Sequence, residues 1–230
     1  MKTIAIIPAR GGSKRIPRKN IKSFAGQPII KYSIDAAIAS GCFDEIMVST
    51  DDQEIANLAK SFGAKVPFMR SAENSSDQAM TVTVLEEVLA EYKKIGQQFD
   101  YVCCLYPTAP FITPKRLETA KEALLTSGAE AVLPIMKFSF PIQRALKIEN
   151  DSIKMFWPEN YSVRSQDLEP AYHDCGQFYF SKTASLLEQR TLYPRLTLPL
   201  IIPEDEAQDI DNEDDWKIAE IKFKIIKNLP

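Results

Sequence analysis

A single histidine, His173, stands in the 230 residues. A histidine-built metal cluster is thereby excluded, and a Ser-His-Asp triad would have to use that one side chain. The four cysteines, Cys42, Cys103, Cys104 and Cys175, show neither CxxC pairing nor zinc-ligand spacing. With no signal peptide in view either, reduced thiols in a cytoplasmic protein are expected. No apolar run reaches membrane-spanning length, and there is no internal repeat or low-complexity segment. The GxxxxGK[ST] spacing of a P-loop and the GxGxxG spacing of a dinucleotide fold are both missing. Acidic residues are absent from one place in particular. Residues 10–22 hold Arg10, Lys14, Arg15, Arg18, Lys19 and Lys22 with no Asp or Glu, in a chain whose net charge is −3. A basic patch on an otherwise acidic chain points to a small anionic ligand, not to a nucleic-acid surface.

What is present suits one globular core with room for a small appendage: 45% hydrophobic and 26% charged residues. Short apolar runs alternate with amphipathic stretches. Thr3–Pro8, Glu45–Thr50, Ala64–Met69, Tyr101–Tyr106 and Ala131–Met136 read as strands, and Gly176–Phe180 and Leu198–Ile202 resume the pattern later. Between them, helices are expected from Pro28 (with Ile30, Ile34 and Ile38 on one stripe), over 53–62, from Ala79 to Ile95, and from Thr113-Pro114. A last helix is expected from Asn212. This is the rhythm of a three-layer α/β domain with a parallel-rich sheet. It stops at Lys137. Residues 138–174 are aromatic- and proline-bearing, with a hairpin turning at Asn150-Asp151, and read as an insertion serving as a lid or a dimerisation arm.

The stretch Ile6–Asn20, IIPARGGSKRIPRKN, starts as a strand and breaks at Gly11-Gly12. Glycines let a ligand approach the backbone and leave amides free for anions, and crowded cations repel one another unless a polyanion or solvent separates them. The stretch reads as a polyphosphate cradle, with a solvated basic turn as the alternative. Asp209 and Asp211, two apart in AQDIDNEDDW, point the same way if the segment is extended, with Ile210 inward. Magnesium asks for one or two protein carboxylates, phosphate and water completing its shell. Alternatively, Asp211 caps the last helix, which leaves Asp209 without a role.

The Ile6–Asn20 run resembles the nucleotide-binding signature of the CMP-sugar synthetases, the cytidylyltransferases that activate acidic sugars. Arg15 and Arg18 stand where sialic acid members carry smaller residues, and the basic version is more similar to the pseudaminic acid branch. The resemblance covers nearly the whole chain. It implies one Rossmann-like α/β domain over residues 1–230, of nucleotide-diphosphosugar-transferase type, with the 138–174 arm serving dimerisation and the sugar site. It implies transfer of CMP from CTP to an acidic nine-carbon sugar, with Mg²⁺ on Asp209 and Asp211 and a likeness to homodimers. Nucleotide contacts would fall on Ala9, Arg10, Gly11, Gly12, Ser13, Lys19 and Asn20, with Arg10 and Lys19 neutralising phosphate charge. Arg70, Ser76, Asp77 and Thr81 resemble a base-reading loop; for Arg70 the alternative is a surface arginine at a strand end. Sugar contacts would involve Tyr106, standing where a glutamine is common, with His173, Asp174 and Gln177 in YHDCGQFYF and Arg164 on the arm. His173 could equally be structural. Pseudaminic acid is favoured over legionaminic and N-acetylneuraminic acids. A dinucleotide-dependent dehydrogenase and a non-catalytic nucleotide sensor are the other classes the loop admits. The missing GxGxxG argues against the first and the aspartate pair against the second.

Overall fold

The computed structural model describes residues 1–228. Its centre is a seven-stranded sheet ordered β11-β6-β10-β5-β1-β4, with β9 also pairing β6. These strands are β1 (Thr3–Pro8), β4 (Glu45–Ser49), β5 (Tyr101–Leu105), β6 (Ala131–Lys137), β9 (Tyr172–Asp174), β10 (Phe178–Lys182) and β11 (Thr197–Ile201). Two small hairpins account for the rest: β2 (Ser23–Phe24) with β3 (Gln27–Pro28), and β7 (Leu146–Glu149) with β8 (Ser152–Met155). β1 is parallel to β4 and to β5, and β6 to β11, whereas β10 runs antiparallel to both β5 and β6. Five strands therefore share one direction, and the sheet is mainly parallel.

Helices cover both faces, as strands that are apolar on every residue require. Ala5 and Ile7 of β1 face α1 (Ile30–Ser40), α2 (Gln53–Ser61) and α4 (Pro114–Thr126). Ile4 and Ile6 face α3 (Thr81–Lys94) and α5 (Thr183–Gln189). A third cluster sits off the sheet. There α6 (Glu213–Lys227) packs Trp216 and Phe223 against Phe24, Ile16 of the first loop and Ile210.

Two expectations fail. Ala64–Met69 is not a strand: Lys65 forms one bridge to Met47, and Pro67 has no N–H with which to continue a ladder. Ile38, expected on the buried stripe of α1, is exposed. The hairpin forms as expected, with Asn150 and Asp151 at φ 52° and 57°, the two left-handed positions of a type I′ turn.

The arm leaves the sheet after β6 and rejoins it at β9. Its apolar side chains are poorly covered, Ile148 being 81% and Ile153 72% exposed. β9 and β10 lie along the same edge of β6, opposite β11, and the chain bulges out between them at Cys175–Gln177. Gly176 takes φ 61° in that bulge. Among the described residues no helix is long and apolar enough to cross a membrane.

Candidate active site

The carboxyl ends of β1 and β5 open on one cleft of about 290 Å³, the place where an open α/β sheet exposes backbone and loops to a ligand. Three loops wall it. Arg10, Ser13, Lys19 and Asn20 come from the loop after β1; Arg70, Ser76 and Asp77 from the segment before α3, with Thr81 at the start of that helix; Tyr106 follows β5, and Asp211 enters from near the chain's far end. Hydrophobic packing makes that last meeting possible, because Ile16 and Ile210 are buried in the same cluster as Trp216. Ile210 thus faces inward between the two aspartates.

The basic loop is charge-compensated. Asp77 pairs with Arg10 at 2.6 Å and with Lys14, and hydrogen bonds from Lys14 and Arg10 hold its carboxyl below the ordinary range. Arg15 pairs with Asp211 at 2.8 Å, and Lys22 with Glu213 at 2.7 Å. Arg18 turns away from the cleft to Asp52 and Glu54. Its bonds to Asp52 are the main reason that this carboxyl falls to about 2. Asp52 also accepts from the Glu54 and Ile55 amides as the N-cap of α2. Arg18 therefore ties the loop to a helix start and is not a ligand-facing cation.

The glycine pair corrects the simplest cradle picture. The Gly11 N–H is not free: it donates to Asp51 Oδ1 at 2.9 Å. A Cβ on Gly11 would lie 2.7 Å from Asp52 Oδ2, so glycine is required there by close packing on Asp52. The Ser13 N–H donates to the Gly11 carbonyl at 3.1 Å, while Gly12 is exposed with open space around it. Ala9 is buried, its N–H donating to the Ser49 carbonyl at 2.8 Å, and does not line the cleft. Asn20 is buried too, and its Nδ2 donates to the Arg10 carbonyl at 2.8 Å, bracing the loop from within.

Arg70 is no surface arginine. It is 8% exposed, its Nε donates to Ser49 Oγ at 2.9 Å and its Nη2 to the Ser49 carbonyl. Nη1 has no protein partner among the described residues. Burial lowers the guanidinium's pKa. Sequence reasoning missed Glu87, which shapes the adjoining loop by accepting from the Ser71 N–H at 2.7 Å, the Ser71 hydroxyl at 3.0 Å and Asn74 Nδ2. On α3 it reads as an ordinary surface acid, and only the fold reveals its role.

Lys19 donates to the Ile210 carbonyl and lies 3.9 Å from Asp211. Desolvation lowers its pKa against the pull of Asp211 and Asp209. The carboxyl of Asp209 is raised, first by desolvation and next by the charge of Asp211. Asp211 is not the cap of α6. Asn212 fills that position, accepting from the Asp214 and Asp215 amides, with Asp215 completing a capping box. Among the described residues no group of three or more His, Cys, Asp or Glu could hold a metal. Two carboxylates remain, Asp209 and Asp211, both free of a capping task, and this donor set suits a hard cation whose other ligands come from phosphate.

The sugar candidates do not converge in the same way. Tyr106 lines the cleft, its hydroxyl 3.4 Å from Thr81 Oγ1. Gln177 is 2% exposed and donates from Nε2 to the Glu206 carbonyl at 2.8 Å, so its amide braces the core. Arg164 lies on the exposed arm, paired with Asp167 at 2.7 Å. His173 shares its Nδ1 with the Asp174 carbonyl and packs on Phe138 with ring centres 4.7 Å apart. None of these three lines the cleft. Asp174 sits behind it, engaged by Tyr179 and Tyr193.

Comparison with known proteins agrees with this geometry. The family model described as Cytidylyltransferase matches residues 4–195. A pseudaminic acid cytidylyltransferase of Campylobacter jejuni subsp. jejuni serotype O:2 is 42% identical over 226 residues, 98% of this chain and 97% of the relative. A CMP-N,N'-diacetyllegionaminic acid synthase of Legionella pneumophila subsp. pneumophila is 34% identical, covering 96% of this chain and 95% of its own. Among solved structures, a CMP:2-keto-3-deoxy-manno-octonic acid synthetase complexed with CTP superposes with a TM-score of 0.71 at 17% identity. It covers the whole of both chains and supports the fold alone.

Proposed function

The chain belongs to the cytidylyltransferase family, and from that premise we propose that it transfers CMP from CTP to the anomeric hydroxyl of pseudaminic acid, an acidic nine-carbon sugar, releasing pyrophosphate. One observation carries the reading: Arg10, Lys19, Arg70, Tyr106 and Asp211 line a single cleft at the carboxyl ends of the parallel strands.

In-line attack on the α-phosphorus builds charge on the phosphate oxygens and the departing pyrophosphate. Arg10 and Lys19 stabilise that charge, and the incoming polyphosphate takes the place of Asp77 as the counter-ion of Arg10. Arg70, held rigid by Ser49, presents Nη1 to an acceptor, as the carbonyl of cytosine would offer. Ser76 and Thr81 border the base and Tyr106 the sugar, with Arg164 reaching the sugar carboxylate from an arm. Asp209 and Asp211 would hold Mg²⁺, which when bound polarises the phosphate and lowers the pKa of a coordinated hydroxyl. The exposed apolar arm pairs two copies into a homodimer around a single domain spanning residues 1–230. Four free, buried thiols suit a cytoplasmic setting.

The test is pyrophosphate release with each of the four NTPs against pseudaminic, legionaminic and N-acetylneuraminic acids. CTP with pseudaminic acid should give the highest kcat/KM. Best use of N-acetylneuraminic acid would overturn the sugar assignment, and absence of any sugar-dependent release would overturn the whole reading.

A further inference from the structure

Asp174 collects more bonds than any role on the surface of a sugar pocket would need. Its Oδ1 accepts from the Gly176 N–H at 2.8 Å. Its Oδ2 accepts from two phenols, Tyr179 on β10 and Tyr193 on the segment between α5 and β11. Each bond leads somewhere different. The Tyr179 ring lies 5.4 Å from that of Tyr106, which lines the cleft and meets Thr81. Gly176 stands against Asp209, and a Cβ there would fall 3.1 Å from Asp209 Oδ1. The Asp174 carbonyl meets His173 Nδ1, and the His173 ring packs on Phe138 at the foot of the arm. The cleft wall, the backing of Asp209 and the arm's foot thus meet at one residue.

We infer that Asp174 is a positioning hub, held by Tyr179 and Tyr193, that fixes the Tyr106 wall and sets the Gly176 bulge beneath Asp209. It touches neither substrate itself. The inference deepens the reading above, on which its kinetic test rests. Tyr193 is the informative member, because it is half exposed and lies outside the cleft, so nothing but the hub connects it to catalysis. A carboxylate that orients groups around it loses that function when one donor is removed, even while the fold survives.

Tyr193→Phe and Asp174→Asn test it by two measurements. In steady-state kinetics with CTP and the best of the three sugars, Tyr193→Phe should raise the sugar KM about five- to tenfold, the effect of one lost hydrogen bond. The CTP KM should stay within about twofold by the same scale, because the bonds that hold Arg10, Lys19 and Arg70 do not run through Asp174. Asp174→Asn should add a higher Mg²⁺ requirement. Equal changes in both KM values, or none, would overturn the inference. Independently of turnover, amide hydrogen exchange over Cys175–Gln177 should accelerate in both variants while the melting temperature of Tyr193→Phe stays near wild type. Unchanged exchange there would sink the hub whatever the sugar proves to be. A wild type that turns over no sugar, with accelerated exchange in the variants, would instead count against the proposed function and leave the hub standing.

Discussion

The side of the cleft proposed for the nucleotide and the side proposed for the sugar are built differently. The first is made almost wholly within the sheet's own loops: residues after β1, residues before α3, and a single segment brought in by Ile210. Every cation of the loop after β1 has an acidic partner from a distant part of the chain, whereas Arg70 is held by Ser49 instead. The second has Tyr106 in place, the bonds of Asp174 behind it, and its remaining candidates either locked in the core, as Gln177 is, or far out on the arm, as Arg164 is. A site made from strand ends is complete in one chain. A site that draws on an excursion needs that excursion to be anchored, and the arm's uncovered Ile148 and Ile153 show what anchoring would use.

The sharpest way to break this contrast is to remove one charge from each side. Arg10→Ala and Lys19→Ala should each lower kcat by about 10²–10³, the scale for losing one preorganised charge stabiliser. Arg164→Ala should act on the sugar KM and leave the KM for CTP alone. If Arg164→Ala instead abolished CTP binding, the division into two halves would be wrong.

Next in size is the aspartate pair. Asp209→Asn and Asp211→Asn should each raise the half-saturating Mg²⁺ concentration about tenfold or more, as read by Mg²⁺ titration of activity. Neither should shift the melting temperature of the chain appreciably, because Asn212 and Asp215 cap α6 without them. Asn212→Ala is the converse: about 1 kcal/mol of stability lost with the Mg²⁺ dependence intact.

The arm supplies a third comparison. Ile148→Glu with Ile153→Glu should yield a monomer in sedimentation at micromolar concentration, and sugar turnover should fall further than CTP binding. A wild type that is already monomeric and fully active would remove the arm from the sugar side.

The effect least visible in turnover is on the loop's own attachment. Asp52 titrates at about 2, below its ordinary 3.8, chiefly because of Arg18. A depressed carboxyl contributes stability that is present above its unfolded pKa and lost as pH falls through the folded value. Arg18→Ala should therefore cost about 1–2 kcal/mol near pH 7, trimmed by the partial exposure of the pair. The gap to wild type should close between about pH 4 and pH 2, as denaturant melts across that range would show.

Much of this was legible in the sequence, for stateable reasons. Ile4–Pro8 is apolar on every residue because helices cover both of its sides, and the pairing of Asn150 with Asp151 dictates its own turn. The cleft's basic loop announces itself by composition. Its neutralising acids do not, since Asp52, Asp77 and Asp211 reach it only through the fold. Gly11 looked like a place for a ligand and is a place for Asp52. A helix cap was the alternative role for Asp211, and Asn212, one residue on, takes those bonds instead. Ala64–Met69 has the composition of a strand, but its proline ends the ladder after one bridge. The hub at Asp174 was invisible because Tyr193 lies beyond a whole strand and helix from it, with no pattern linking the two.

The departure and return of the arm are hydrogen-bonded neighbours: Lys137 pairs with Tyr172, and the Phe138 N–H donates to the Ala171 carbonyl at 3.0 Å. Mechanically, the arm is a cassette seated in a socket whose two contacts are rungs of a single ladder. Cutting it out and joining β6 to β9 through a two-residue turn would leave an ordinary hairpin, while lengthening it would add closure entropy only as the logarithm of its length. What is plugged into this socket can thus be exchanged without rebuilding the strands whose ends form the cleft.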